Sequence, residues 1–489
     1  MYVTKSNFRA CNYDVNQTIS WKMLADDQCE EIFVTACEIL ERSGAEVESK
    51  EARDILESKG CWVEGNIVHF PSAKLEWALR TAPSRLTLCN REGKRAMLLE
   101  TANVHFGPAG HAEQIVDRVS GEPRDIKLSD VIETARLAEQ MGNVEFVTYP
   151  GLPTDTAEKT ASLHALQAVL THTTKPVLAP VCCAKQAKAT VEMAAASVGG
   201  MEKLRRNPYI ILSIECAEAR FHSEYATSAV IYAAQNGIPF IYQNKLIAGE
   251  TAPASTAGTL VLALANTLVA LTLAQAVSEG TPVVAGGLFT IASDEEGKAP
   301  FGAPESALMG SAFANLFRYL GIPCAGTSGI SDSAISDSQA GVEMAIGLLS
   351  TAMSGTNILS GGGLLEGGRQ FSNSIFAISD EVMSVIYRIM KSFEVDEDKL
   401  ACGVYDIVGP GGAYLGEEHT SVFFKSEQFW PNLITRKRID DWMAEGGKSL
   451  GKRAEEYVDM LLAQPACSCI DDAAAAAIKA VVDKADAEF

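Results

Sequence analysis

The chain has 489 residues, of which 47% are hydrophobic, 21% charged and 7% aromatic, the balance of an ordinary soluble protein with a large core. A formal net charge of −21 excludes the clustered Lys and Arg that nucleic acid or an anionic membrane surface would require, and it suits a cationic small ligand. Length alone allows two or three domains, or one α/β barrel with additions at its ends.

The opening stretch "MYVTKSNFRACNYDVNQ" has no apolar core and no cleavage-like site. The twelve cysteines therefore read as reduced thiols of a cytoplasmic protein, not as a disulfide framework. Neither Cys182-Cys183 nor the Cys-Ser-Cys at Cys467 to Cys469 has His partners at zinc spacing, so no metal is expected. Two helical patterns, "DDQCEEIFVTACEILERSG" and "KEARDILESKG", precede short strands in "CWVEGNIVHF" and "LTLCNREGKRAMLLE". Residues 1–100 are expected to form an N-terminal cap on the rest of the chain.

From Val104 the rhythm changes. Eight β-branched, apolar runs recur every ~30–45 residues, the look of strands buried on both faces. They are "VHFGPA", "EFVTYPG", "PVLAPVC", "YIILSIE", "IPFIYQN", "PVVAGG", "IPCAGT" and "NILSGG". Helical patterns separate them, with Ser129 or Asp130 as the first cap and Gly142, Gly237, Gly280, Gly321 and Gly355 at later helix ends. Eight such units close most simply into a (β/α)8 TIM barrel over residues 101–395. An open doubly wound sheet competes, but no GxGxxG follows the first strand.

Between Thr251 and Ser278 no residue is charged, and the stretch is long enough to span a bilayer. Asn266, Thr267, Thr272 and Gln275 interrupt it and acids flank it, so a helix buried against the core or a sister subunit is expected, and with it a homo-oligomer. Residues 396–489 read as a C-terminal extension packed on the barrel, with a charged helix over Asp440 to Leu462 and an Ala-rich helix at the end.

In a barrel of this kind reacting groups sit beyond the C-terminal ends of the strands. That rule collects Phe106 and His111 after the first run, Tyr149 after the second, and Cys182 and Cys183 after the third. Glu215 and Arg220 follow the fourth, then Tyr242, Gln243, Asn244 and Lys245 the fifth. Phe289 and Phe301 flank the sixth loop, Ser331, Asp332, Ser333 and Asp337 fill the seventh, and Glu366, Arg369 and Phe371 follow the eighth.

Aromatic faces clustered with a carboxylate suit a quaternary ammonium, at roughly 0.5–2 kcal/mol per ring, although each ring could equally plug a loop core. His105 and His111 are candidate acid–base groups or plain structural hydrogen-bonders. Glu215, ending a buried strand, needs either a partner such as Arg220 or Lys245 or a ligand. Ser331 to Ser333 could cap the following helix.

The stretch "SGGGLLEGG", Ser360 to Gly368, holds five glycines in nine positions. It carries Glu366 and no lysine, which disfavours a phosphate site. Gly361, Gly362, Gly363 and Glu366 are then expected to leave an open mouth for a bulky partner, unless the loop is merely flexible.

Three segments carry a family resemblance: "FGPAGHAEQIVDRVSGEPRDIKLSDVIETARLAEQMGNVEFV", "SDSAISDSQAGVEMAIGLLSTAMSGTNILSGGGLLEGG" and "VGPGGAYLGEEHTSVFFKSEQFWPNLITRKRIDDW". On these the chain resembles the trimethylamine methyltransferase family, and within it the members lacking pyrrolysine that demethylate quaternary amines such as glycine betaine. The resemblance implies a methyltransferase that passes a substrate methyl group to the cob(I)alamin of a separate corrinoid protein, with no cofactor held tightly by the chain itself. It also implies that the position pyrrolysine takes in the trimethylamine enzymes falls near Gly329 to Ser331, where this chain has ordinary residues. Glycine betaine, proline betaine, carnitine and γ-butyrobetaine are the implied substrates. Phe106, His111, Tyr149, Glu215, Tyr242, Asn244, Phe289, Ser331 and Arg369 are the candidate substrate contacts, while Arg220, Lys245, Arg369 and His111 compete for a substrate carboxylate. A non-catalytic quaternary-ammonium-binding protein and another barrel enzyme, such as a metal-dependent lyase, are the alternatives.

Overall fold

A computed structural model of the chain describes residues 21–216, 218–293, 299–465 and 468–488. The opening stretch with Cys11, and Cys467, lie outside the described residues. Seven parallel strands form the central sheet: β1 (His105–Pro108), β2 (Val177–Val181), β3 (Ile210–Cys216), β4 (Phe240–Ala248), β5 (Val283–Ile291), β6 (Cys324–Thr327) and β7 (Ile358–Gly362). Their order is β1-β7-β6-β5-β4-β3-β2. The first two strands in the chain thus sit at the two edges, and the sheet curls towards a barrel.

The eighth place, between β1 and β2, belongs to the run expected as "EFVTYPG", and here the expectation of a full strand fails. The run forms only isolated bridges, Val147 to Val177 and Gly151 to Ala112. Glu145 N donates to the Phe106 carbonyl at 2.7 Å on one side, and Leu178 N to the Val147 carbonyl at 3.0 Å on the other. Two causes are visible. Pro176 has no N–H to offer, and the Glu145 carboxylate bonds His105 Nδ1 at 2.6 Å and the Tyr387 hydroxyl at 2.8 Å. The barrel is therefore incomplete as a hydrogen-bonded ladder.

Inside the curl, Phe146, Ile211, Ile241, Val284, Ala325 and Ile358 make an apolar plug with Leu88, Met97 and Leu99. The last three come from a hairpin, Leu86–Cys89 against Arg95–Leu99, that closes the N-terminal end of the sheet. Further along the same faces the side chains turn polar: Ser213 and Glu215 on β3, Gln243 and Lys245 on β4, Thr327 on β6 and Ser360 on β7. An apolar floor below a polar mouth is what places chemistry at the C-terminal end.

The uncharged stretch forms one helix, Thr256–Val277, buried almost throughout. Helices Asp26–Arg42, Lys50–Ser58 and Ser72–Thr81 of the N-terminal region cover it. Its apolar surface is covered within the chain, the first of the two alternatives, so the helix itself gives no argument for a subunit contact. A small sheet ties this region to the barrel, because Ala45–Val47 pairs in parallel with Phe221–His222 beyond β3.

Helix Leu128–Gln140 starts earlier than expected. Asp130 is its third residue and accepts from Lys127 N at 2.8 Å, while Arg124 grips the same carboxylate at 2.7 and 2.8 Å. At the C-terminal side the expected Asp440 to Leu462 helix is two, Ile439–Ala444 and Leu450–Leu462, broken by Gly446 and Gly447 at positive φ. Leu450–Leu462 packs on helices Asn373–Met390 and Leu128–Gln140, and Asp472–Glu488 on Ala161–His172 and Ala184–Val198.

Candidate functional site

Two connected cavities occupy the C-terminal end of the sheet. The inner one, about 140 Å³, is walled by Leu178, Leu288, Ile330, Leu364 and Phe301, with Thr148, Ser213, Glu215, Gln243 and Lys245 presenting polar atoms. The outer one, about 450 Å³, is lined by Tyr149, Leu152, Cys182 and Tyr225, and it shares His111, Pro180, Ser213, Glu215 and Gln243 with the inner. A larger hollow of about 640 Å³ lies at the opposite end, among Arg85, Glu100, Arg318 and neighbouring loop residues. Barrel chemistry belongs at the C-terminal end, and there His111, Glu215 and Lys245 face one space.

Strand pleat explains which side chains arrive. Successive residues alternate between the lumen and the surrounding helices, so Ser213 and Glu215 on β3 and Gln243 and Lys245 on β4 look inward. Glu215 and Gln243 are register partners across β3 and β4, and Gln243 is opposite Gly286 on β5. A Cβ at Gly286 would stand 2.5 Å from Gln243 Oε1, so the missing side chain gives Gln243 its room.

His111 follows β1 at φ +75°, in the left-handed region that few side chains other than Asn, Asp and His adopt. Burial pushes its imidazole below the ordinary value and Lys245 pushes the same way, against the Glu215 carboxylate, which pulls it up. Near neutral pH the ring is thus uncharged. Burial also pushes the Tyr149 phenol up, keeping it protonated. Glu215 and Lys245 form no ion pair with each other, and no hydrogen bond or ion pair holds either side chain among the described residues. Of the two alternatives for Glu215, the partnership with Arg220 or Lys245 does not occur.

His111, Tyr149 and Glu215 thus reach the cavities, and the other substrate contacts expected from the sequence do not. Tyr242 and Asn244 point away from the lumen. The Tyr242 hydroxyl bonds His222 Nδ1 at 2.6 Å, and Asn244 Nδ2 donates to Thr267 Oγ1 and the Gly286 carbonyl, both at 3.0 Å. Phe106 and Phe289 are on outward faces too. Phe106 meets Tyr387 edge-on at 5.1 Å, and Phe289 packs on Phe313 at 5.1 Å. Ser331 is buried and donates to Glu343 Oε2 at 2.6 Å. The cap of the next helix is Asp337, which accepts from Ala340 N at 3.1 Å, so Ser331 to Ser333 do not serve as that cap. Arg369 lies outside the cavity, paired with Glu113 at 3.3 Å and Glu366 at 3.4 Å.

The glycine stretch is closed, not open. A Cβ on Gly361 would fall 1.5 Å from the Ser328 carbonyl oxygen, one on Gly362 would press on Phe376, and one on Gly363 on Phe371. Gly361 lets the Ser328 backbone approach, Gly362 and Gly363 make room for the Phe376 and Phe371 rings, and all three are buried, while Glu366 is tied to Gln370 at 2.6 Å. Gly367 and Gly368 instead line the inner cavity.

Sequence reasoning passed over Thr148, Ser213, Leu152 and Tyr225, which line the cavities. The available signal was parity: the polar pair Ser213 and Glu215, two apart in an apolar run, marks the lumen face of β3. Among the described residues no group of three or more His, Cys, Asp or Glu is arranged for a metal, and no disulfide joins the ten described cysteines.

Comparison with known proteins gives this geometry a context. The chain is 29% identical over 467 residues to trimethylamine methyltransferase MttB of Desulfitobacterium hafniense, covering 95% of this chain and 94% of that one. It is 30% identical over 427 residues to a glycine betaine methyltransferase of another strain of that species, covering 87% and 89%. Among solved structures, the monomethylamine methyltransferase MtmB of Methanosarcina barkeri superposes with a TM-score of 0.50 at 11% identity, covering 94% of this chain and 93% of that one, a likeness of fold. The family profile described as trimethylamine methyltransferase (MTTB) matches residues 3–489. A methyltransferase, the chain belongs to the trimethylamine methyltransferase family.

Proposed function

We propose that the protein moves a methyl group from a quaternary amine, bound in the inner cavity, to the cob(I)alamin of a separate corrinoid protein docked over the outer one. The observation that carries this reading is Glu215, a carboxylate with no hydrogen-bond or ion-pair partner among the described residues, where the two cavities join. A quaternary ammonium has no N–H to donate, so it is recognised by charge and by fitted apolar walls. Glu215 supplies the charge, and Phe301, Leu288 and Ile330 supply walls.

In the transfer the methyl carbon leaves nitrogen, the C–N electron pair stays on nitrogen, and a neutral tertiary amine departs. No proton has to be delivered to the leaving group, and a neutral His111 is compatible with that. Cob(I)alamin would supply the attacking electron pair. The chain's task is to hold nitrogen, methyl carbon and acceptor in line and to keep water out. Discharge of the ammonium is favoured by apolar walls, which solvate the product amine better than the cation. The outer cavity suits a large visiting group, since its rim carries exposed Leu152 (50%) and Tyr225 (70%). Kinship supports the same reading, because one relative is named for glycine betaine.

The test mixes the protein with a panel of amines and a corrinoid protein reduced to Co(I), and follows the cobalt spectrum. Conversion to methyl-Co(III) with at least one quaternary amine is expected, and not with trimethylamine. No conversion with any quaternary amine would overturn the reading.

A further inference from the structure

We infer that the segment from Val395 to Met443 is an association arm: its apolar surface is covered by a second copy of this chain, and the protein is a homo-oligomer held together there.

The segment holds twelve of the twenty-five large apolar side chains that are exposed among the described residues. Leu415 is 82% exposed and Ile407 75%, and within the segment only Leu433 is buried. Its four helices, Glu397–Leu400, Cys402–Val408, Glu418–Glu427 and Ile439–Ala444, pack closely on no other helix or strand among the described residues. The segment is ordered all the same. Ring contacts join Tyr405 to Tyr414 at 6.0 Å, His419 to Phe423 at 4.6 Å and Phe424 to Trp430 at 6.0 Å. One strip anchors it to the body. Glu381 accepts from Asn432 N at 3.0 Å and Ile434 N at 3.3 Å, and Arg453 Nε donates to the Leu433 carbonyl at 2.7 Å. An element fixed at one strip and apolar on its outside offers a surface, having no core of its own.

The size of that surface selects the occupant. Twelve side chains of this kind, each about half exposed or more, present on the order of 1,000 Å² of apolar area, against ~300–600 Å² for the largest patch of an ordinary monomer. That is the scale of one side of an obligate homodimer interface, about 1,000 Å² or more per subunit. A carrier protein that arrives and leaves at every turnover uses a smaller, wetter face. The outer cavity, where such a carrier would dock, is lined by residues between His111 and Gln243 and by none of the arm. Charge agrees with a second copy. Arg436 and Arg438 are exposed and have no ion pair among the described residues, and a chain of net charge −21 offers them an acidic partner. The same net charge disfavours an anionic membrane surface as the cover. In a two-fold pair one surface serves both subunits, so a single arm accounts for the contact from both sides.

The experiment combines light scattering over a dilution series with hydrogen exchange of the full chain, on the natural protein and on Ile407→Asp and Leu415→Asp. Val119→Asp, a charge placed at an exposed apolar site outside the arm, is the control. The natural protein should have the mass of two chains or more, with arm amides that are protected and lose protection on dilution. Ile407→Asp and Leu415→Asp should each weaken association by roughly tenfold to a hundredfold, and Val119→Asp should leave it unchanged. A natural protein that is monomeric at every concentration overturns the inference, as does an oligomer whose arm amides exchange freely. Arm amides protected only after a corrinoid protein is added would also overturn it and assign the surface to that partner. The mass and exchange of the natural protein decide the matter even if a variant fails to fold.

Discussion

Tyr242 and Gln243 are adjacent in sequence and serve opposite sides of one sheet. Gln243 lines the cavity, while the Tyr242 ring stacks on His222 at 5.9 Å behind β4. Burial holds the His222 imidazole neutral, its value pushed down to about 3. An unfolded histidine gains its proton near pH 6.5. Between those two values the unfolded chain binds a proton that the folded one refuses, so stability is complete above about pH 6.5 and is lost as pH falls towards about 3. The predicted contribution is up to ~1.4 kcal/mol per pH unit in that window. Urea unfolding of the natural protein and of His222→Gln at pH 7 and pH 5 checks it: the variant should lose less on acidification, and equal losses would contradict it. At this scale Glu215 could be found in the sequence because it interrupts an apolar run. Tyr242 could not be placed, because "YQNK" is polar at both parities and only the register with β3 says which face is inward.

The strands themselves were largely legible. Buried parallel strands are continuous apolar runs, and the runs from Val104, Pro176, Tyr209, Ile238, Pro282, Ile322 and Asn357 each overlap an observed strand. The run from Glu145 has the same appearance, yet its glutamate is drawn to His105 and Tyr387 and its neighbour strand follows directly on a proline. Composition cannot reveal a side chain recruited by a distant partner. The glycine stretch fails for a related reason. Its density signals close approach, but whether to a ligand or to another strand depends on tertiary contacts. Gly361 answers for the second: it follows β7's Ser360 at a register shift and lies under the Ser328 carbonyl. Gly361→Ala should therefore destabilise the fold by about 3 kcal/mol, read as a lowered urea midpoint. An unaffected midpoint would revive the open-mouth reading.

For the whole molecule, the N-terminal region and the barrel are one structural unit in energetic terms. Helix Thr256–Val277 is apolar enough to cross a bilayer, and it is covered by three helices from before residue 82. The charge of −21 and the apolar surface left between Phe393 and Met443, including Val395, Leu400, Ile407 and Leu415, characterise the exterior. The interior is graded from an apolar floor at the hairpin end to polar side chains at the C-terminal mouth. The proposed methyl-donor site rests on that gradient, which was only partly legible in the sequence because the layers of a curled sheet are built from residues far apart in the chain. The most direct test is a crystal structure of the protein with a quaternary amine bound. The account predicts the ammonium in the inner cavity beside Glu215 and Phe301. An amine lodged in the hollow around Arg85 and Arg318, with the C-terminal cavity left empty, would contradict it.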